Sequence, residues 1–291
     1  MIIPRPATML LASFLVASLV QAAPAVEIPE GPSSFQYADR MTGRPMTVWT
    51  YRPKTLAPAA KIVFVLHGMN RDGERYRDQW QPHAESHDFL LVAPEFEERS
   101  FSEYAYQRGN VADAAGNAVE KSRWTFSTIE RLFDVIRTAT KHRTTRYSLY
   151  GHSAGAQFVH RFVLFMPDAR YERAIAANAG WYTMPTFDVS FPYGLEGAPA
   201  TEAGLKLAMG RDFVVMLGDE DTDESDPGLR NTERARSQGR TRLERGESFH
   251  QTALASSRKL GVPLRWRRIV VRDAGHSNRE MAAAAAALLV P

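Results

Sequence analysis

The sequence has no cysteine in its 291 residues. That absence excludes disulfides, a thiol nucleophile, a thiolate metal site and a lipid-modified N-terminal cysteine. Long apolar runs are also missing. The one candidate, Met9 to Val20 within "MIIPRPATMLLASFLVASLVQAAPA", is shorter than the roughly 20 residues that a bilayer span needs. Arg5 precedes this run and small residues follow it, the pattern of a secretory signal peptide cleaved after Ala22 or after Ala25. The expectation is a signal over residues 1–25, a single domain over 26–291, a secreted or periplasmic protein, and no membrane anchor after cleavage. No internal repeat and no Pro-, Gly- or Ser-rich linker divides the chain. Net charge is small, +3. The arginines of "RNTERARSQGRTRLERGE" are interleaved with acids, and together with "RWRR" they read as solvated faces, so no nucleic-acid partner is expected. Without disulfides the fold must rest on its core, and a chain of this size buries roughly three quarters of its unfolded surface.

What the chain does contain is an alternation of short β-branched runs with helical patterns. "TVWTY" (47–51) follows a turn and reads as the second arm of a hairpin. "KIVFVLHG" (61–68), "FLLVAP" (89–94), "YSLYG" (147–151), "RAIAANAG" (173–180), "FVVMLG" (213–218) and "LRWRRIVVR" (264–272) read as strands. Between and after them, "GERYRDQWQPHAESH", "STIERLFDVIRTAT", "AGAQFVHRFVLF", "GESFHQTALASSRKLG" and "REMAAAAAALLV" carry helical spacing. This order predicts an α/β fold: a mostly parallel sheet with helices on both faces and an N-terminal hairpin. Segments 95–124 and 181–204 are long, turn-rich and aromatic, the composition of ordered functional loops.

The sharpest local signal is "YSLYGHSAGAQFVHRF", in which Ser153 stands between Gly151 and Gly155. Gly-x-Ser-x-Gly is weak alone. It gains force from context, because a strand enters and a helix leaves. Such an elbow holds the serine at a strained position, and the glycines remove side chains that would collide. The helix N-terminus then favours negative charge beside the hydroxyl.

A serine needs a base. Of the eight histidines, His83 and His87 form an i, i+4 pair with no evident third metal ligand, so no metal is expected. His142 lies in the charged "KHRTTR" and reads as solvated; His152 should point away from Ser153; His160 is two helical turns beyond it; His67 belongs to a separate loop; His250 is on a predicted helix. His276, in "VVRDAGHSNRE" after the last strand, suits the carboxyl edge of a parallel sheet, where ligands bind. The carboxylate that orients it should come from "FVVMLGDEDTDES": Asp221, with Asp219 as the alternative. The oxyanion would be held by the N–H groups of Ala154 and of Met69, the latter in "VLHGMNRDG".

"HGMN", "GHSAGA", "LGDED" and "AGHS", each at a strand end and in this order, resemble the α/β-hydrolase superfamily, most nearly its polyhydroxybutyrate depolymerase-like or feruloyl-type esterase branch. The likeness covers nearly all of the chain after residue 25. It departs from the branch at Met69, where such depolymerases often carry cysteine, and at Ala156, where a glycine is common. A threonine-rich linker and polymer-binding domain are also missing, which argues for a smaller or soluble ester. The resemblance implies a serine carboxylester hydrolase that works through an acyl-enzyme without metal or cofactor. It has no separate lid domain and acts on a hydroxyalkanoate oligomer or a feruloyl or acetyl ester. Trp124, Trp181 and Tyr182, in the two long loops, are the expected pocket walls. A peptidase or acyltransferase on the same fold, or a non-catalytic binding protein, are the alternatives.

Overall fold

The computed structural model describes residues 26–290; the expected signal at 1–25 lies outside them. In chain order the elements are β1 (Gly31–Ala38), β2 (Pro45–Arg52), β3 (Lys61–Leu66), α1 (Gly73–His87), β4 (Phe89–Glu95), α2 (Thr125–Thr140), β5 (Tyr147–His152), α3 (Ala154–Phe165), β6 (Tyr171–Ala177), α4 (Glu202–Met209), β7 (Phe213–Gly218), α5 (Glu233–Arg236), α6 (Arg242–Leu260), β8 (Trp266–Val271) and α7 (Asn278–Leu289). The strands form one sheet in the order β1-β2-β4-β3-β5-β6-β7-β8. β1 pairs antiparallel with β2, and β2 antiparallel with β4. Every later pairing is parallel.

The β-branched strands are buried on both faces, and alternate residues feed two cores. Ile62, Phe64 and Leu66 of β3 join α2 and α3 in one core; Val63 and Val65 join α1 and α7 in the other. Half of α7 is alanine (Ala282–Ala287), so its buried face (Met281, Ala282, Ala285, Ala286, Leu289) lies close against the sheet and α1. No helix of the described residues is long and apolar enough to cross a membrane.

Two differences from the sequence reading bear on the site. The helix expected from Gly246 begins a turn earlier, at Arg242, because Thr241 caps it: its Oγ1 accepts from the Glu244 N–H at 3.1 Å. "TRLE" is a Thr-x-x-Glu capping signature, and the added turn carries a buried arginine into the site. α4 and α5 were not expected; each is capped by a threonine, Thr201 or Thr232.

The parallel strands all run the same way, so the loops after β3, β5, β7 and β8 emerge on one edge. Strand order reverses around β3, which leads to β4 on one side while β5 lies on the other. The crevice at the carboxyl edge of such a reversal is where open α/β sheets bind ligands.

Candidate active site

Ser153 occupies the sharp turn between β5 and α3 with φ 56° and ψ −113°, a conformation that a side chain strains to adopt. The flanking glycines are steric necessities. A Cβ on Gly151 would stand 2.2 Å from the Gly155 carbonyl oxygen, and one on Gly155 2.2 Å from the Leu66 carbonyl oxygen. The elbow is therefore wedged against the end of β3, which brings Ser153 beside Gly68 and Met69.

His276 reaches Ser153 from the loop between β8 and α7. Its Nε2 lies 3.0 Å from Ser153 Oγ, and its Nδ1 lies 2.7 Å from Asp221 Oδ2. Asp221 is 3% exposed. Of the two carboxylates left open by the sequence, only Asp221 meets the imidazole. Asp219 turns back to the β8 loop, where its Oδ1 accepts weakly from the Ala274 N–H at 3.4 Å. The N–H of Met69 makes no hydrogen bond among the described residues, and that of Ala154 opens α3, where no intrahelical acceptor exists. Met69 and Ser153 line one cavity of about 350 Å³ together with Tyr76, His152, Arg242 and His276.

The supporting residues had escaped the sequence reading. Asn178, after β6, donates from Nδ2 to the Gly275 carbonyl at 2.9 Å and accepts the Gly218 N–H at 2.8 Å, tying the Asp221 and His276 loops together. Arg242 is 3% exposed and donates from Nη1 to Asp221 Oδ1 at 3.3 Å and to Asp226 Oδ2 at 2.9 Å. Burial works against ionisation of Asp226, yet the hydrogen bonds from Arg242 and the Gly228 N–H hold its carboxyl below the usual range. The solvated-face reading of the arginine cluster is thus corrected. Arg242 and Arg245 are buried, the latter donating to the carbonyls of Gly180 and Gly239, while Arg234, Arg236 and Arg240 are exposed. The only sequence signal for the buried pair was the capping signature.

His152, His67 and His142 each have a hydrogen-bond partner outside the Ser153–His276–Asp221 chain. His152 Nδ1 lies 3.1 Å from Tyr76 Oη, and its ring packs 4.7 Å from that of His276. Burial first, then the neighbouring His276 and Arg242, push its pKa far down, so a neutral ring lies against His276. His67 accepts the Phe96 N–H at Nε2 (2.9 Å) and faces the Gly68 carbonyl with Nδ1 (2.9 Å). His142 is corrected from solvated to buried, with Nδ1 2.8 Å from Thr140 Oγ1. Among the described residues no cluster of His, Asp and Glu is arranged to hold a metal.

The expected aromatic walls are also redistributed. Trp124 is a core residue: its Nε1 donates to the Val119 carbonyl and its ring meets Phe165 edge-on. Tyr182 is fully buried and stacks on Phe249. Both follow from the apolar area of large rings, which core packing claims first. Trp181 lines a neighbouring cavity that shares Met69 and Gly228 with the first.

Comparison with known proteins agrees with this architecture. Neither a protein-family model nor a curated protein matches the chain. Among solved structures, poly(aspartic acid) hydrolase-1 from Sphingomonas sp. KT-1 is 40% identical with a TM-score of 0.88, covering 90% of this chain and 99% of that one. The poly(3-hydroxybutyrate) depolymerase LpqC from Bordetella parapertussis is 35% identical with a TM-score of 0.85, covering 89% of each chain. An S-formylglutathione hydrolase from Agrobacterium tumefaciens shares the fold at 16% identity and a TM-score of 0.55, over 91% of this chain and 98% of that one. The chain belongs to the α/β-hydrolase superfamily, in its polyhydroxybutyrate depolymerase-like branch, and is a serine hydrolase of the carboxylic ester class.

Proposed function

We propose that Ser153, His276 and Asp221 are the catalytic triad and that the enzyme cleaves small or soluble oligomeric esters through an acyl-enzyme. The observation that carries this reading is the unbroken hydrogen-bond chain from Asp221 through His276 to Ser153, at 2.7 and 3.0 Å, at the carboxyl edge of the sheet. His276 Nε2 takes the hydroxyl proton as Ser153 Oγ attacks the ester carbonyl. Asp221 holds the Nδ1–H tautomer and stabilises the imidazolium. The N–H groups of Met69 and Ala154 receive the oxyanion, a contribution of roughly 3 kcal/mol each in such sites. The tetrahedral intermediate collapses, the C–O bond to the alcohol breaks, and His276 returns the proton to the leaving oxygen. Water, deprotonated by His276, then attacks the acyl-enzyme and frees the acid. Neither a metal nor an organic cofactor takes part in these steps.

Hydroxyalkanoate oligomers, feruloyl esters and acetyl esters are the substrates this reading names. The amide reading has a specific support: a relative at 40% identity is a hydrolase of poly(aspartic acid), a polyamide. The same triad would release an amine in place of an alcohol. The composition of residues 1–25 supports export to the periplasm or beyond.

A fluorophosphonate probe should label the protein covalently, and Ser153→Ala should abolish labelling and lower ester turnover by about five orders of magnitude while preserving the fold. Normal hydrolysis by the variant would assign the nucleophile elsewhere, and a wild-type protein that resists the probe would favour a binding protein. Paired 3-hydroxybutyrate and aspartyl oligomers separate the ester from the amide reading.

A further inference from the structure

One buried charge takes no part in the triad. Arg161, on α3, is fully buried, yet all its hydrogen bonds go to uncharged oxygens: Thr183 Oγ1 at 2.8 Å, the carbonyls of Gln107 at 3.0 Å and Gln157 at 3.1 Å, and the Gln157 amide. Its Nη2 is buried without a partner. A guanidinium stays charged in a protein, and a buried cation without a counter-ion is costly. Arg161 lies 4.1 Å from the centre of the Trp181 ring, with Arg230 at 4.9 Å and Arg108 at 5.6 Å from the same ring. The one carboxylate in this group is Glu103, which bridges Arg108 at 2.7 Å and Arg230 at 2.9 Å. Three guanidiniums thus share a single counter-ion.

Trp181, Glu103, Arg230, Gln107 and Gln157 line the second cavity, of about 230 Å³, which meets the triad cavity across Met69 and Gly228. Gln107 and Gln157 are 6% and 5% exposed. Both line the cavity, and Gln157 Oε1 lies 3.5 Å from Arg161 Nη1. The pocket therefore places two carboxamides and Arg230 beside an excess of positive charge.

Direction follows from proton transfer. Of these two cavities His276 lines the triad cavity, so the leaving oxygen that it protonates lies on that side. The acyl part then extends the other way, over Met69 and Gly228. We infer that the second cavity is the acyl subsite and that it takes an acyl group ending in a carboxylate, as in a half-ester of a dicarboxylic acid. The inference rests on the triad assignment above. The carboxylate would accept hydrogen bonds from Arg230 and the two glutamines and would add a second negative charge to a group in which three guanidiniums share Glu103.

The test compares monoethyl succinate, glutarate and adipate with their diethyl esters by pH-stat, as kcat/KM per ester bond. In the wild type, at least one half-ester should exceed its diester by about tenfold, the worth of one charge-assisted hydrogen bond, and added salt should narrow the gap. Arg230→Gln should bring the ratio near unity, whereas Glu103→Gln, which removes the competing carboxylate, should raise it. The ratio is internal to each variant, so a partial folding defect cancels. Merely structural roles would move both variants the same way, and that result overturns the inference, as does a wild-type ratio at or below unity for all three lengths. Fluorophosphonate labelling without hydrolysis of either ester class overturns the subsite alone; absence of labelling overturns the triad assignment and the subsite with it.

Discussion

His67 and His160 lie inside the fold with both ring nitrogens engaged by backbone, whereas His276 stands at the rim of the sheet between a carboxylate and a hydroxyl. His160 repeats the His67 arrangement: Nε2 accepts the Thr183 N–H at 3.0 Å, and Nδ1 faces the Ala156 carbonyl at 2.9 Å. An imidazole nitrogen that accepts a backbone N–H cannot carry a proton without setting two donors against each other. The interior pair is thus locked neutral, as Nδ1–H tautomers. At His276 the Nδ1 position faces Asp221, and Nε2 lies within hydrogen-bond distance of Ser153 Oγ, the place of a base in the proposed triad. What separates the proposed base from the interior pair is the partner on each nitrogen.

The strongest way to break this contrast is to alter the carboxylate. Asp221→Asn keeps a hydrogen-bonding group at the same place but can donate its amide N–H toward Nδ1 and favour the wrong tautomer. Turnover should fall by about four orders of magnitude, measured on a short nitrophenyl ester, with little change in melting temperature. A loss of under a hundredfold would mean that another group orients His276.

The interior side of the comparison is tested by acid. Burial pulls the His67 pKa from 6.5 to about 4, and the His160 and His152 values fall in the same direction. The unfolded chain therefore binds more protons than the folded one between those values, and stability must fall as pH drops through that window. For His67 alone the loss is about 2 kcal/mol from roughly pH 7 to pH 5. Urea unfolding at those two pH values measures it. A midpoint that does not move would show the ring to be solvated or already charged.

Arg242 sharpens the contrast at the rim. It gives the Asp221 carboxylate its second hydrogen bond, so Arg242→Met should reduce kcat by about tenfold with KM changed little, because the lost contact orients the base rather than the substrate. A rise in KM at constant kcat would instead place Arg242 on the substrate.

The sequence made the strands and the elbow readable because a doubly buried strand is a continuous β-branched run and because strand, Gly-x-Ser-x-Gly and helix occur in direct succession. Ser153, Asp221 and His276, whose side chains the structure brings within hydrogen-bond distance, could be placed at one edge because each follows a strong strand, and parallel strands deliver their loops to one edge. Arg242 and Asn178 were not legible. Their roles come from loops that meet only in three dimensions, and an arginine in a charged stretch gives no sign of being buried. Trp124 and Tyr182 misled for the converse reason: aromatic loop residues fill a core as readily as they wall a pocket.

The smallest expected effect is the one that isolates the acid. Asp219 and Asp221 lie two residues apart after β7, and composition cannot rank them. Their side chains diverge: Asp221 meets the imidazole, while Asp219 accepts from the Ala274 N–H at a weak 3.4 Å. Asparagine keeps that acceptor oxygen, so Asp219→Asn should leave kcat within about threefold of the wild type, since less than one net hydrogen bond is at stake. Steady-state kinetics of the two asparagine variants side by side give the contrast directly. If Asp219→Asn fell as far as Asp221→Asn, the two carboxylates would be acting as a unit, and the assignment of a single orienting acid would have to be given up.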